Sequence, residues 1–163
     1  MMDKADLMDG LRRTPRILTV FVEGVSEDQI DRRRGEGFWT IAEHANHLAQ
    51  VQPMLLERLR RFRDEAHPEF VPYLPGEDED EPDTPEVMAQ ATALAQFADG
   101  RREQLALLER ADEQTWRKTA THPEYDRYSC HILVRHILMH DHWHMYRMEE
   151  LWLTKDQYLT RLD

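Results

Sequence analysis

Apolar residues recur at every third or fourth position along four stretches of this chain, and nowhere do they alternate in twos. That spacing lays one apolar stripe on a helix of 3.6 residues per turn and fits no half-buried strand. The first stretch, Asp3 to Val22, carries Leu7, Leu11, Leu18 and Phe21, with Pro15 placed to kink or split it. The second opens on a capping box, in which Thr40 accepts from a backbone N–H and Glu43 reaches back. Its stripe is Ile41, Ala45, Leu48, Gln52, Leu55, Leu59 and Phe62, and Pro53 predicts a bend. The third is predicted to start with Thr84 as cap and Pro85 at the first helical position. Its stripe reads Val87, Ala91, Leu94, Ala98, Leu105 and Leu108. The fourth begins near Ser129 and presents Leu133, Ile137, His140, His144, Met148 and Leu151. A short helix is expected over Lys155 to Leu162.

Four amphipathic helices in 163 residues describe one all-α bundle domain spanning 1–163. The link His67 to Asp83 holds Pro68, Pro72, Pro75 and Pro82 and the acidic run Glu77 to Glu81. A link of that length can carry the chain along the whole bundle, so it permits the second and third helices to run parallel. The link Ala111 to Tyr128 is long enough to cap one end.

Composition narrows the function classes. The formal net charge is −11, which repels phosphate backbones and anionic lipid, so neither nucleic acid nor membrane is an expected partner. The basic spots at Arg12, Arg13 and Arg16, at Arg32 to Arg34, and at Arg58, Arg60, Arg61 and Arg63 read as solvated helix faces and loop charge. No apolar run approaches the roughly 18 residues of a membrane span. Met1 to Gly10 lacks a signal-peptide core, and Cys130 is the single cysteine, so a reducing, cytoplasmic setting is expected.

Histidine is the outlier: nine occur, and four lie between His136 and His144. His140 and His144 sit one helical turn apart, about 6 Å along the axis, in register with the buried stripe. Two inward imidazoles at this spacing are how a helix offers two nitrogen ligands to one ion. His47 is the best third donor. If the second and fourth helices are antiparallel, His47, His144 and His140 lie about 10, 12 and 18 Å from one bundle end. His44 also falls near the buried stripe and is the rival. His136 extends the same face as core or supporting residue, and His142 should face away. His67, His122 and His131 read as ordinary polar residues of links or a helix start.

Glu43 has two readings, as half of the capping box and as a group orienting His47 or a metal-held water. Asp141 makes His-Asp-x-x-His, one methylene short of the His-Glu-x-x-His of zinc proteases, and no clear third ligand follows it. Trp39, Trp143, Tyr146 and Trp152 either line a metal pocket or pack the core.

Trp39-Thr40-Ile41-Ala42-Glu43 followed by His47-Leu48 resembles the start of helix 2 in the DinB/YfiT-like family. His140-Asp141-His142-Trp143-His144 resembles its final His-x-x-x-His segment, and Thr121-His122-Pro123 through Ile132-Leu133 resembles the stretch leading into it. The resemblance implies a four-helix bundle of up-down-down-up topology with a long crossover between helices 2 and 3. It implies His47, His140 and His144 as metal ligands, which favours His47 over His44. It also implies frequent dimers, an association with stress response, and in some relatives thiol-dependent transferase or isomerase activity. Many relatives follow the last histidine with an Arg-Gly-Gln-type stretch, whereas Met145-Tyr146-Arg147-Met148 stands here, which leaves the substrate class open.

Three protein ligands leave a coordination position for water or substrate. The leading expectation is therefore a metal-dependent enzyme acting on a small molecule, with a low-molecular-weight thiol as co-substrate. A non-catalytic metal-stabilised stress or binding protein, and a metal-dependent hydrolase, are the alternatives. Imidazole donors suit Zn, Ni or Fe.

Overall fold

The computed structural model describes residues 3–71 and 87–161. Four rods make the bundle: α1 (Lys4–Gly24), then after the single turn α2 (Glu27–Ile30) the pair α3 (Ile41–Gln50) and α4 (Gln52–Asp64), then α5 (Gln90–Arg110). After α6 (Glu113–Arg117) comes a two-residue antiparallel ladder, β1 (Thr119–Ala120) with β2 (Tyr128–Ser129), and the fourth rod α7 (Cys130–Leu153). No helix among the described residues is long and apolar enough to cross a membrane.

The directions of the rods follow from their cross-links. Asn46 accepts from the Met88 N–H, Gln96 donates to the Ala49 carbonyl, and Gln104 donates to Gln52. Numbers rise together, so α3–α4 and α5 are parallel, as the long link allows. His44 meets His144 and His47 meets His140, so α3 and α7 are antiparallel. Lys4 reaches Ala111 and Arg12 reaches Glu109, so α1 and α5 are antiparallel. Gly10 lies against Leu138 and Thr14 beside Asp141, so α1 and α7 are parallel. The topology is up-down-down-up.

Several local expectations change. Pro15 does not split α1. Proline lacks the N–H that would bond the Leu11 carbonyl, and the Thr14 hydroxyl donates to that carbonyl at 3.1 Å instead. Pro53, by contrast, does break the second rod, which turns at Val51. Thr84 and Pro85 lie outside the described residues; the first residue of α5 is Gln90, after Ala89. The expected stripe of that helix holds only in part: Leu108 is buried and Leu94 and Leu105 pack at the edge of the core, but Val87 and Ala91 are exposed, and the buried face is Ala93, Phe97, Arg101, Gln104 and Leu108. Two of those positions are polar, so a search for apolar periodicity slid onto the neighbouring face. The expected tail helix is one 3-10 turn, Asp156–Tyr158, with Leu162 outside the described residues.

That polar pair belongs to a layer that cuts the core in two. One apolar cluster holds Leu7, Leu11, Leu55, Leu59, Phe62, Leu133, Val134, Ile137 and Leu138; the other holds Leu18, Val22, Ala45, Leu48, Phe97, Met145 and Met148. Between them lie Thr14, Gln52, Arg101, Gln104 and Asp141, all buried. Arg101 bonds Asp141 at 2.6 Å and Gln104 at 2.7 Å. Gln104 passes the chain to Gln52 at 2.9 Å, and Gln52 donates to the Leu48 carbonyl at 2.7 Å. Gly100 permits the approach, because a Cβ there would lie 2.5 Å from the Gln52 Cβ.

Candidate metal centre

The capping box sets where α3 begins. The Glu43 N–H donates to the Thr40 hydroxyl at 3.1 Å, and the Thr40 N–H donates to Glu43 at 2.7 Å. Starting the helix there puts His44 and His47 on the face turned to α7. On α7, Ser129 caps the first turn by accepting from the Ile132 N–H, and His140 and His144 follow on one face.

The structure brings His47, His140 and His144 together, each with one ring nitrogen within 4.8 Å of the other two. His47 Nε2 is 3.2 Å from His140 Nε2, and His144 Nε2 is 3.1 Å from His140 Nε2. Those separations suit a common ion: bonds of about 2.0–2.1 Å at tetrahedral angles place ligand nitrogens about 3.3 Å apart. Burial, the first cause in each case, lowers all three ring pKa values. His140 falls to about 4, so its lone pair is free at neutral pH. The donor set fits a divalent ion of the zinc, nickel or iron kind.

His44 does not join the triad; it stands behind it. Its Nδ1 lies 2.8 Å from His144 Nδ1, and both residues are buried. With an ion on His144 Nε2, Nδ1 would carry the proton and donate it to His44 Nδ1, which would fix tautomer and ring angle. The Trp39 ring packs over His44 and His47 with centroids 5.2 Å away. His44→Ala is expected to weaken metal affinity about 10- to 100-fold, as loss of such an orienting partner does, and His44→Gln to recover part of it. Competition against a chromophoric chelator measures this; unchanged affinity in His44→Ala removes the orienting role.

The acidic candidates are occupied elsewhere. One Glu43 oxygen takes the Thr40 N–H and the other takes Arg33 at 2.5 Å. Burial raises the Glu43 pKa, but those two bonds outweigh it and hold the carboxyl below its ordinary range. Asp141, fully buried, is bonded to Arg101, so it does not serve as the base of a His-Glu-x-x-His protease. Among the aromatic residues, Trp39 and Trp143 line a cavity of about 720 Å³ beside the four histidines. Tyr146 is exposed, and Trp152 packs edge-on against Phe21 in the upper core, so neither lines that cavity.

The other histidines divide. His142 faces solvent and His67 bonds Thr121 at 2.9 Å on the surface. His122 and His131 are not the ordinary polar residues their positions suggest. His122 is buried beside Tyr125 and Tyr128, and His131 is half-buried against Trp116. Helical periodicity did not mark His122 as buried, because it lies in a link between helices, packed against Tyr125 and Tyr128.

The buried histidines give the metal-free protein a pH dependence. His44 and His140 titrate at about 4 in the fold, His47 and His144 are also lowered, and the ordinary value is 6.5. The unfolded chain therefore binds more protons below about pH 6.5, and stability falls as pH drops from there toward 4. Asp141 acts oppositely: burial raises it from 3.8 to about 6, so its contribution is lost as pH rises through that window. Four histidines outweigh one carboxyl. Calorimetry of chelator-treated protein should show a lower Tm at pH 4.5 than at pH 7; an equal or higher Tm would contradict the burial of neutral rings.

Comparison with known proteins came to the same architecture. YfiT from Bacillus subtilis, described as a probable metal-dependent hydrolase with an unusual four-helix bundle topology, superposes with a TM-score of 0.77 at 22% identity. The match covers 93% of this chain and 88% of that one. The four-helix bundle protein TT2238 superposes with a TM-score of 0.66 at 19% identity, covering 89% of this chain and 97% of its own. No curated protein sequence matches the chain. The family model of the DinB superfamily matches residues 10–148, a span that holds His44, the three converging histidines and the polar layer. The chain belongs to the DinB superfamily.

Proposed function

We propose that this protein is a divalent-metal-dependent enzyme that joins a small thiol to an electrophilic organic molecule. The observation that carries the reading is the convergence, among the described residues, of three protein nitrogens, from His47, His140 and His144, beside a cavity of about 720 Å³. A site closed for structure alone normally supplies four protein ligands. An ion held there lowers the pKa of a bound thiol or water and so supplies a nucleophile at neutral pH.

The chain's own residues do the rest. His44 keeps His144 in the tautomer that leaves Nε2 free. Trp39 and Trp143, each about two-fifths exposed, offer ring faces to a ligand entering the cavity. In the transfer a bond forms between sulfur and the electrophilic carbon. The thiol proton goes to solvent, and the bond to the leaving group breaks with its electron pair.

Hydrolysis is the second reading, favoured by the description of YfiT as a probable metal-dependent hydrolase. One experiment separates them. Tag-free protein, its metal measured, is mixed with a chromogenic electrophile, 1-chloro-2,4-dinitrobenzene, and with a nitrophenyl ester, each with and without a thiol such as cysteine. Thiol-dependent consumption beyond the uncatalysed rate supports transfer. Ester cleavage with water alone supports hydrolysis. Stoichiometric metal with neither activity leaves a non-catalytic metal-stabilised protein.

A further inference from the structure

A second cavity, of about 330 Å³, also reaches the centre. It shares only His47 and His140 with the larger one, so these two rings stand between the chambers. Its body is apolar, walled by Val51, Leu55, Leu133 and Ile137. Away from His47 and His140 the wall turns polar and aromatic, with Arg58, Tyr125 and Tyr128 beside His122 and His136.

Arg58 is the informative residue. Its neighbours on α4, Arg60, Arg61 and Arg63, each have a carboxylate partner. Arg58 forms no ion pair among the described residues; its Nη2 donates to the Val71 carbonyl at 2.9 Å, its guanidinium stands 5.5 Å from the centre of the Phe70 ring, and it hydrogen-bonds Tyr128. Its charge is felt inside the chamber, where it lowers the pKa of His122, second to burial, and opposes the burial that raises Tyr128. The carboxylate that lines this chamber, Glu124, is more than half exposed and lies 4.0 Å from His122 Nδ1. A guanidinium with no carboxylate partner among the described residues, beside an apolar chamber, is arranged for an anion from outside.

We propose that the smaller chamber binds a small organic carboxylate. The carboxylate meets Arg58, the apolar body lies along Val51, Leu55 and Ile137, and the far end rests against the His47 and His140 rings. Eleven residues separate His47 on α3 from Arg58 on α4, at most about 16 Å of helix rise because the rod turns at Val51, and the long arginine side chain shortens the span. A ring with a short acid chain fits that distance. This inference rests on the two-substrate reading above: the small chamber takes the electrophile and the larger takes the thiol.

The test is calorimetric titration of the full chain with 3-phenylpropanoate and its uncharged amide, with metal and after chelator treatment. The acid is expected to bind at least tenfold tighter than the amide, in both states. Arg58→Met should bring the ratio to within about twofold without changing metal content. Met54→Trp, which fills the chamber from its rim, should abolish binding of both. Equal binding of acid and amide to the unaltered protein, no binding of either, or a preference that survives Arg58→Met overturns the inference. A preference present only with metal places the carboxylate on the ion and overturns this inference while leaving the metal enzyme standing. A preference that persists in protein unable to retain metal does the reverse.

Discussion

Replacing His144 with alanine is expected to strip the centre of its ion while leaving the bundle folded. Elemental analysis of tag-free protein should give about one divalent ion per chain before the change and background after it. The affinity loss should exceed the 10- to 100-fold expected from removing the orienting His44, because a bond to the ion is lost rather than its alignment. His140→Ala should do the same, since its Nε2 is the one within 3.2 Å of both others. The metal-free melting temperature should move little. The core clusters are complete without these rings, and an ion stabilises only by the free energy of its own binding. Circular dichroism melts in chelator provide the check. A double variant, His140→Ala with His144→Ala, that still carries stoichiometric metal would place the ion elsewhere and remove the proposed chemistry.

Breaking the Arg101–Asp141 pair should cost far more stability than any change at the metal ligands. Arg101 is 0% and Asp141 0% exposed, and their bond is 2.6 Å. Desolvation lowers the arginine's pKa and raises the aspartate's to about 6, so each charge is held by the other against burial. Asp141→Leu leaves a guanidinium stranded between two apolar clusters, at about 3–5 kcal/mol. In a chain of this size that is a fall in Tm of roughly 6–20 °C. The double change Arg101→Met with Asp141→Leu should regain most of it, because two apolar side chains need no partner there. Thermal melts of the two single variants and the double variant make the cycle. A double variant no better than Asp141→Leu would mean that the wider network, through Gln104 and Gln52, sets the stability instead.

The sequence carried the helices wherever the buried face was apolar. The capping box at Thr40 and Glu43, the Ser129 start of α7 and the break at Pro53 are local events, settled within a turn or two of chain. It failed at α5, where Arg101 and Gln104 occupy buried positions that hydrophobic periodicity assigns to solvent. Their burial is tolerable only because Asp141 from α7 and Gln52 from α4 meet them. A reading that sees one segment at a time has no access to a partner 40 or 52 residues away.

The candidate centre divides along the same line. Spacing alone determined that His140 and His144 share a face, and antiparallel heights matched them to His47, since helix rise is fixed by backbone geometry. The family motif favoured His47 over His44 as the ligand, and only the tertiary structure showed that His44 stands behind His144. The two are less than a turn apart on α3, and their roles depend on which side of each ring faces α7. Only the packed bundle removed Asp141 from the chemistry, buried His122, and opened a chamber on each side of the His47 and His140 rings. Local sequence fixes direction and pitch along a helix, whereas cavities and charge partners arise between helices, from side chains that the chain brings together only on folding.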